Sequence, residues 1–408
     1  MKDSHSHKNK IVKVFLTCPG LGNINRGFES FTRECFDAIS QDSSLDVTLF
    51  KGGGTSLKNE ITLWNLPREK WTTIQISRVI GKITGIKGSY NTEQLSFFVS
   101  LLPYLYRGKP DVIFLSDEQL GIFLWHWRRL TKQNYKLLFS NGAPVFPVDK
   151  LARWDRIQQL APSHLQAALD AGIPAEKQSL IPYGFHIESQ AKFLTPNEQK
   201  ALRQKLGLPD NRRLIISVGA INKSHKRMDY VIREIAQLPE PRPFLLLLGQ
   251  EDQESGEVIQ LGKTLLGVEN FQTRTVPYSA IADYYQAADA FVLASIAEGF
   301  GRVLVEALSY GLPCMAHDYE ISHFIFKNRE YLADFTKTGS LTKLIPKALA
   351  ASEDISQRQA FHRLAYENFS WEKLQPAYVD MIKKCAESRE LSSQPNLPLH
   401  HQNSEKYD

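Results

Sequence analysis

Between residues 11 and 140 the chain alternates two kinds of apolar pattern. Short runs rich in β-branched residues and leucine occur at "IVKVFLTC", "LDVTLF", "DVIFLS" and "YKLLFS". Between them lie longer stretches with apolar residues three and four apart, such as "FESFTRECFDAIS" and "LSFFVSLLPYLYRG". The first kind predicts strands buried on both faces and the second predicts helices, so the pair implies a parallel sheet covered by helices. A second series repeats this alternation. Strands are predicted at "RLIISVG", "PFLLLLG", "FQTRTV", "DAFVLA" and "LPCMA", and helices at "RMDYVIREIAQL", "SAIADYYQAA" and "RVLVEALSY". The fold class is therefore α/β, with two doubly wound parallel-sheet units. The linker falls near "IPYGFHIESQAKFLTPNEQ", where Pro182, Gly184 and Pro196 break both patterns.

This reading divides the chain into a flexible start (1–10), a first unit (11–190), a second unit (191–370) and a tail without periodicity (387–408). The helix over 371–386 is expected to cross back to the first unit. Open α/β sheets take ligands beyond the carboxyl ends of their strands, so two facing units make a central cleft suited to a substrate.

Composition narrows the classes of partner. The 408 residues carry a net charge of +5. That mild excess suits anionic ligands or an acidic membrane surface but is too weak to argue for nucleic acid, so no nucleic-acid partner is expected. Four cysteines, none in a Cys-x-x-Cys pair, fit reduced thiols and a cytoplasmic location. The start has no apolar signal core, and no run reaches the roughly 18 apolar residues of a membrane span. Peripheral membrane contact stays open. "WHWRRL" at 125–130 could be an acceptor platform, a membrane-surface patch or a core helix with a basic edge, the last being preferred. The eleven histidines have no metal-ligand spacing.

Three turns between strand and helix carry candidate chemistry. The first, "PGLGNINRGFES", contains Gly20, Gly22 and Gly27. A glycine-rich turn at a helix start can hold phosphate, but Asn25 occupies the third glycine position of a dinucleotide fingerprint, and no Lys-Ser pair makes it a Walker loop. A plain strand-to-helix turn is the alternative. The second, "SVGAINKSHKRMDYVI", places Lys223, His225, Lys226 and Arg227 just before a helix. Cations there are unfavourable unless an anion such as a diphosphate joins them, or unless the loop is simply solvated. The third, "EGFGRVLVEALSYGLP", sets Glu298 beyond a buried strand and Glu306 just over one turn into the next helix. Gly299 and Gly301 loosen the backbone between them, and the N–H groups of residues 301–303 are left for phosphate oxygens. A carboxylate with two acceptor oxygens suits a vicinal diol, such as a ribose or hexose edge.

These motifs together resemble the retaining glycosyltransferases of family 4, a group 1 family with the GT-B fold of two Rossmann-like domains facing a central cleft. "LAPSHLQAALDAGIPAEKQSLIPYGFH" is similar to the family's domain-crossing segment, "SVGAINKSHKRMDYVI" to its phosphate loop, "YYQAADAFVLAS" to the strand before its glutamates, and "EGFGRVLVEA" to the glutamate motif. The resemblance runs over residues 160–316 in the family's order, and the first half is similar only in outline. It implies a hexose donor activated as a UDP-, GDP- or ADP-sugar and an acceptor that is a sugar, a lipid-linked group or a polysaccharide, with no metal and no other cofactor. Glu298 would meet the hydroxyls of the transferred sugar and Glu306 the ribose diol. Lys226, with Arg227, would neutralise the diphosphate, so Glu298 and Lys226 are the catalytic candidates. Gly299, Phe300 and Gly301 would line the donor site, Val276 would lie at the nucleobase edge, and Gly22 near the phosphates across the cleft.

The chain departs from the family pattern at three places. Ala220 stands where an arginine is usual after the strand glycine. "FSNGAPV", with Ser140 and Asn141, stands where a histidine is common. "CMAHDYEISHFIF" lacks a glycine pair and leaves His317 and Asp318 as candidate donor or acceptor contacts, or as loop residues with local bonds. Two other functions fit the same architecture: a nucleotide-sugar epimerase or phosphorylase, and a non-catalytic module that binds sugar nucleotides.

Overall fold

A computed structural model describes residues 10–24, 26–84, 87–142 and 148–388. The ends expected to be loose, 1–10 and 387–408, fall almost wholly outside the described residues, as does most of "GAPVFP" after Asn141.

Two parallel sheets form the frame. The first is built from β1 (Val12–Cys18), β2 (Leu45–Lys51), β3 (Glu60–Thr62), β4 (Val112–Leu115), β5 (Lys136–Asn141), β6 (Arg156–Gln159) and β7 (Gln178–Leu180), in the order β3-β2-β1-β4-β5-β6-β7. The second is built from β8 (Leu214–Val218), β9 (Phe244–Leu248), β10 (Phe271–Arg274), β11 (Ala290–Leu293), β12 (Cys314–His317) and β13 (Leu332–Ala333), in the order β10-β9-β8-β11-β12-β13. Val14 pairs with Val47 on one side and Val112 on the other, and Ile215 pairs with Leu245 and Ala290. Every residue of β4, β9 and β11 is buried, as a sheet covered on both faces requires. These are the two doubly wound α/β units that the apolar pattern predicts. Their strand order reverses between β1 and β4 and between β8 and β11, where ligands gather in open α/β sheets.

Three first-sheet strands go beyond the predicted set. β3 is three residues long, and β6 and β7 read Arg-Ile-Gln-Gln and Gln-Ser-Leu. Gln159 and Gln178 are buried because amides satisfy one another across the sheet. Asn141 Nδ2 donates to Gln159 Oε1 at 2.8 Å, and Gln159 Nε2 to Gln178 Oε1 at 2.9 Å. Polar composition hid strands whose hydrogen bonding makes burial tolerable.

The two halves are joined twice. After Leu180 the chain crosses without regular structure until the helix Pro196–Lys205, whose start is fixed by a Thr195–Glu198 capping box. The return crossing runs alongside: Phe185 N–H donates to Phe369 O at 2.8 Å, and Trp371 N–H to Phe185 O at 2.9 Å. The helix Trp371–Ala386 then packs against the helix Gly27–Ile39 and against β5. Its buried Tyr378 hydroxyl donates to Pro182 O at 2.8 Å and accepts from Gln158 Nε2 at 2.7 Å. Phe31, Tyr183, Phe300 and Phe369 make a continuous aromatic core through this junction, with ring centres 4.1 Å apart for Phe31–Tyr183 and 5.3 Å for Tyr183–Phe300.

At the first switch point sits a buried carboxyl. Asp117, two residues beyond β4, receives Tyr90 OH at 2.9 Å and Gln94 Nε2 at 3.2 Å on Oδ1. Burial pushes its pKa up to about 7; Arg68 and the Tyr90 hydroxyl oppose the rise, and Glu29 and Glu93 add to it. A carboxyl raised above its unfolded value of about 4 holds more protons folded than unfolded, so its contribution to stability is lost as pH climbs from about 4 to about 7. Asp117→Asn should therefore gain stability over the parent by a few kcal/mol, in order of magnitude, as pH rises through that window. Melting temperatures of both proteins from pH 4 to pH 8 check this, and parallel curves would contradict it.

Candidate functional site

The second switch point gathers the charged residues of two turns. β8 ends at Val218, and the loop after it is pinned by Asn222 before the helix Met228–Ala236 begins. Asn222 Oδ1 accepts from Lys226 N–H at 2.7 Å and His225 N–H at 3.3 Å, while its Nδ2 donates to Asp252 at 2.9 Å. This fixes where each cation points. Lys226 Nζ contacts the carboxylate of Glu298 directly, and His225 Nε2 lies 3.9 Å from the same oxygen. Lys223 turns outward to Glu257 at 2.6 Å. Arg227, in a left-handed conformation (φ 51°), donates to Phe335 O at 2.9 Å and lies over the Tyr230 ring. The structure thus brings Lys226 and Glu298 together, and places the Arg227 guanidinium on the chain near Phe335.

Glu298 follows β11 on a bend that enters the helix Arg302–Ser309 through Gly301. Gly301 adopts φ 74° and ψ 49°, a left-handed conformation that favours glycine. The first N–H of this turn to reach a carbonyl is that of Leu304, on Gly301 O at 2.9 Å. That leaves the helix start oriented as an anion site. The Glu298 and Lys226 side chains are only 11% and 15% exposed, so their charges act where water screens them poorly. Gly299 is buried in the bend, and the Phe300 ring is in the aromatic core between Tyr183 and Phe369, so only its backbone faces the turn.

Glu306 lies one turn further along. Tyr285 OH donates to its Oε2 at 3.1 Å, and Arg302 Nε stands 3.8 Å from Oε1. Arg302 is buried. Its Nη2 donates to Glu34 Oε1 of the first unit at 2.7 Å, and its guanidinium lies 4.3 Å over the Phe185 ring. Burial raises the pKa of Glu34, and the Arg302 charge opposes that rise. Val276, just past β10, packs partly buried against the main core.

On the opposite rim, Gly22 has φ 88°, and a Cβ there would fall 2.2 Å from the Gly53 carbonyl carbon. The turn after β1 is thus pressed onto the turn after β2, and its Leu21 packs against the core that holds Phe300. Ser140 is fully buried, and the Asn141 amide is committed to Gln159. His317 Nδ1 accepts from Phe335 N–H at 3.1 Å, and Asp318 contacts His323, so both have local bonds. Within "WHWRRL", Arg128 is buried against Asp155, Trp127 packs with Phe98, and Arg129 lies over Trp125, which fits a core helix with a basic edge. Among the described residues no group of three metal-ligating side chains comes together.

Sequence reasoning missed Arg302, Glu34, Tyr285 and Asp117. Arg302 and Glu306 are four apart, a spacing open to inspection. Nothing in sequence links Arg302 to a glutamate 268 residues away.

Comparison with known proteins bears on the family and the fold. Residues 198–367 match the family described as Glycosyl transferases group 1. A 221-residue stretch is 25% identical to alpha-monoglucosyldiacylglycerol synthase of Streptococcus pneumoniae, covering 52% of this chain and 49% of that protein. The chain spans about half the length of the curated relatives it matches most fully. Among solved structures, sucrose-phosphate synthase from Thermosynechococcus elongatus superposes with a TM-score of 0.73 at 18% identity, over 91% of this chain and 98% of that one. Anabaena Alr3699/HepE in complex with UDP and glucose superposes with a TM-score of 0.69 at 16% identity, over 91% and 99%. The second unit thus matches the group 1 glycosyltransferases, and the two parallel sheets have the GT-B architecture of the structures they superpose on.

Proposed function

We propose that the protein transfers a hexose from a nucleoside-diphosphate sugar to an acceptor hydroxyl, with retention at the anomeric carbon and without a metal. The observation that carries this reading is the part-buried Lys226–Glu298 pair beyond β8 and β11, next to a helix start that is free to take an anion. A departing diphosphate gathers negative charge, and a cation already held in a poorly screened position stabilises it without reorganising. Lys226 has three donor hydrogens, so it can meet a phosphate oxygen while keeping one contact to Glu298. Glu298 then accepts from the hydroxyls of the transferred sugar. Glu306, oriented by Tyr285 and Arg302, accepts from the ribose diol. The acceptor hydroxyl attacks on the face that the diphosphate leaves, and the diphosphate takes its proton. The similarity to Alr3699/HepE, solved with UDP and glucose, supports a UDP-sugar as the first donor to try.

Three substitutions separate these roles. Glu306→Ala should weaken nucleoside-diphosphate binding by about tenfold to a hundredfold, the range for losing hydrogen bonds to a charged group. Glu298→Ala should lower kcat by roughly a hundredfold while changing nucleotide affinity much less. Lys226→Ala should lower kcat by about a hundredfold to a thousandfold. Calorimetric binding of the nucleoside diphosphate and steady-state transfer assays check all three, and unchanged transfer in the Glu298 and Glu306 variants would sink the assignment. Chelation of divalent metals should leave the rate unchanged.

The donor itself is found by melting-temperature shifts across UDP-, GDP- and ADP-sugars. A ligand at a hundred times its Kd adds about 2.7 kcal/mol to native stability. No shift with any of them would contradict nucleotide-sugar binding.

A further inference from the structure

The second sheet carries another polar pocket at its opposite end. Lys226 and Glu298 lie beyond the carboxyl ends of β8 and β11, whereas this pocket opens where β8, β9 and β11 begin. Those three strands are neighbours in the sheet. β8 is five residues long, so roughly 15 Å of strand separates the two places. The pocket has a volume of about 400 Å³, which is within the range of small-molecule sites. Four arginines line it, Arg203, Arg212, Arg213 and Arg242, together with two carboxylates, Asp210 and Asp289.

These cations are not equally committed to the fold. Arg203 is buried, and its Nε donates to Ala287 O at 2.8 Å, its Nη1 to Arg212 O at 2.9 Å and its Nη2 to Asp289 Oδ2 at 2.8 Å. Asp289 Oδ2 also accepts from Leu214 N–H at 2.6 Å, so the buried acid is taken up by holding β8 and β11 together. Arg213 and Arg242 pair with Glu353 and Glu240, whose side chains are 63% and 59% exposed. Ion pairs as wet as these hold their partners weakly. Arg242 Nε donates to Leu238 O at 3.0 Å, which leaves its Nη2 without a partner among the described residues. Arg212 meets no carboxylate there; its Nη1 contacts the Asn270 amide oxygen, and its Nε and Nη2 are unspent.

Charge and shape select the ligand. Four guanidiniums against two carboxylates leave the wall positive, which calls for an anion. The planar fork of a guanidinium matches two oxygens of a phosphate. The pocket is larger than a phosphate alone, and Pro241, Pro243 and Leu349 give it an apolar side against which an organic remainder can lie.

We propose that this pocket at the starts of β8, β9 and β11 binds a phosphorylated small molecule, with Arg212 and Arg242 gripping its phosphate. The inference does not depend on the donor chemistry above.

The test is calorimetric titration of the full chain with inorganic phosphate and with pyrophosphate, in physiological sodium chloride to screen surface charge. Pyrophosphate should bind more tightly than phosphate, and one pyrophosphate site should survive in Lys226→Ala. In that background, adding Arg212→Gln and Arg242→Gln should weaken the surviving site by about tenfold to a hundredfold, the range for hydrogen bonds to a charged group. Asn211→Glu puts an acid at the exposed mouth of the pocket and should weaken the same site. Because Asn211 is exposed, that variant should melt with its parent when no ligand is present, which separates lost binding from lost folding. No pyrophosphate binding in Lys226→Ala, or binding left unchanged by both sets of pocket substitutions, would overturn the proposal.

Discussion

The buried guanidinium of Arg302 touches both halves of the chain. Taking such a charge out of water is costly, and the cost is offset only where partners surround it. Glu34 supplies a carboxylate at 2.7 Å from the first unit, the Phe185 ring lies 4.3 Å beneath, and Glu306 stands 3.8 Å away on the same helix. Removing any one partner would leave charge exposed to a low-dielectric interior. The arrangement therefore ties the position of one sheet to the side-chain geometry of the other. It also fixes Glu306, whose other oxygen is held by Tyr285. The ribose candidate is thus held in place by the junction between the units as well as by its own helix.

Around that junction the site follows from topology. The turns after β1, β4, β8 and β11 are the four that flank the two reversals of strand order, and each carries a candidate group: Gly22, Asp117, Lys226 and Glu298. The strands themselves are too deeply buried to present chemistry, so they act as anchors for short turns. The double crossing at Phe185 and Phe369–Trp371 limits how far the sheets can separate. A cleft between units joined this way can still open, but only by bending at two adjacent segments.

How much of this was legible in the sequence depended on distance along the chain. The buried strands, the helix Arg302–Ser309, its glycine start and the position of Glu298 beyond β11 all follow from local pattern. β6 and β7 did not, because buried glutamines look like surface residues until their amide partners on neighbouring strands are known. The direction of each cation after β8 was equally hidden. Four basic residues in five positions look interchangeable, yet Asn222 and Glu257, on the helix Ser255–Leu266 after β9, send Lys223 to Glu257 and leave Lys226 on Glu298. The Arg302–Glu34 pair had no local trace, since its members lie in different units.

The Lys226–Glu298 contact gives the candidate site a particular character. A cation waiting alone beside a positive helix end would repel it, and a lone carboxylate beyond a buried strand would lose hydration with no return. Paired, each makes the other tolerable before any ligand arrives. On the function proposed above, a diphosphate entering at the helix start would compete with Glu298 for the ammonium hydrogens, and the sugar hydroxyls arriving with it would replace what Glu298 gives up. Nucleotide alone would supply the first exchange and not the second. A complete sugar nucleotide would satisfy both groups together, so the proposed pair would favour a donor that still carries its sugar.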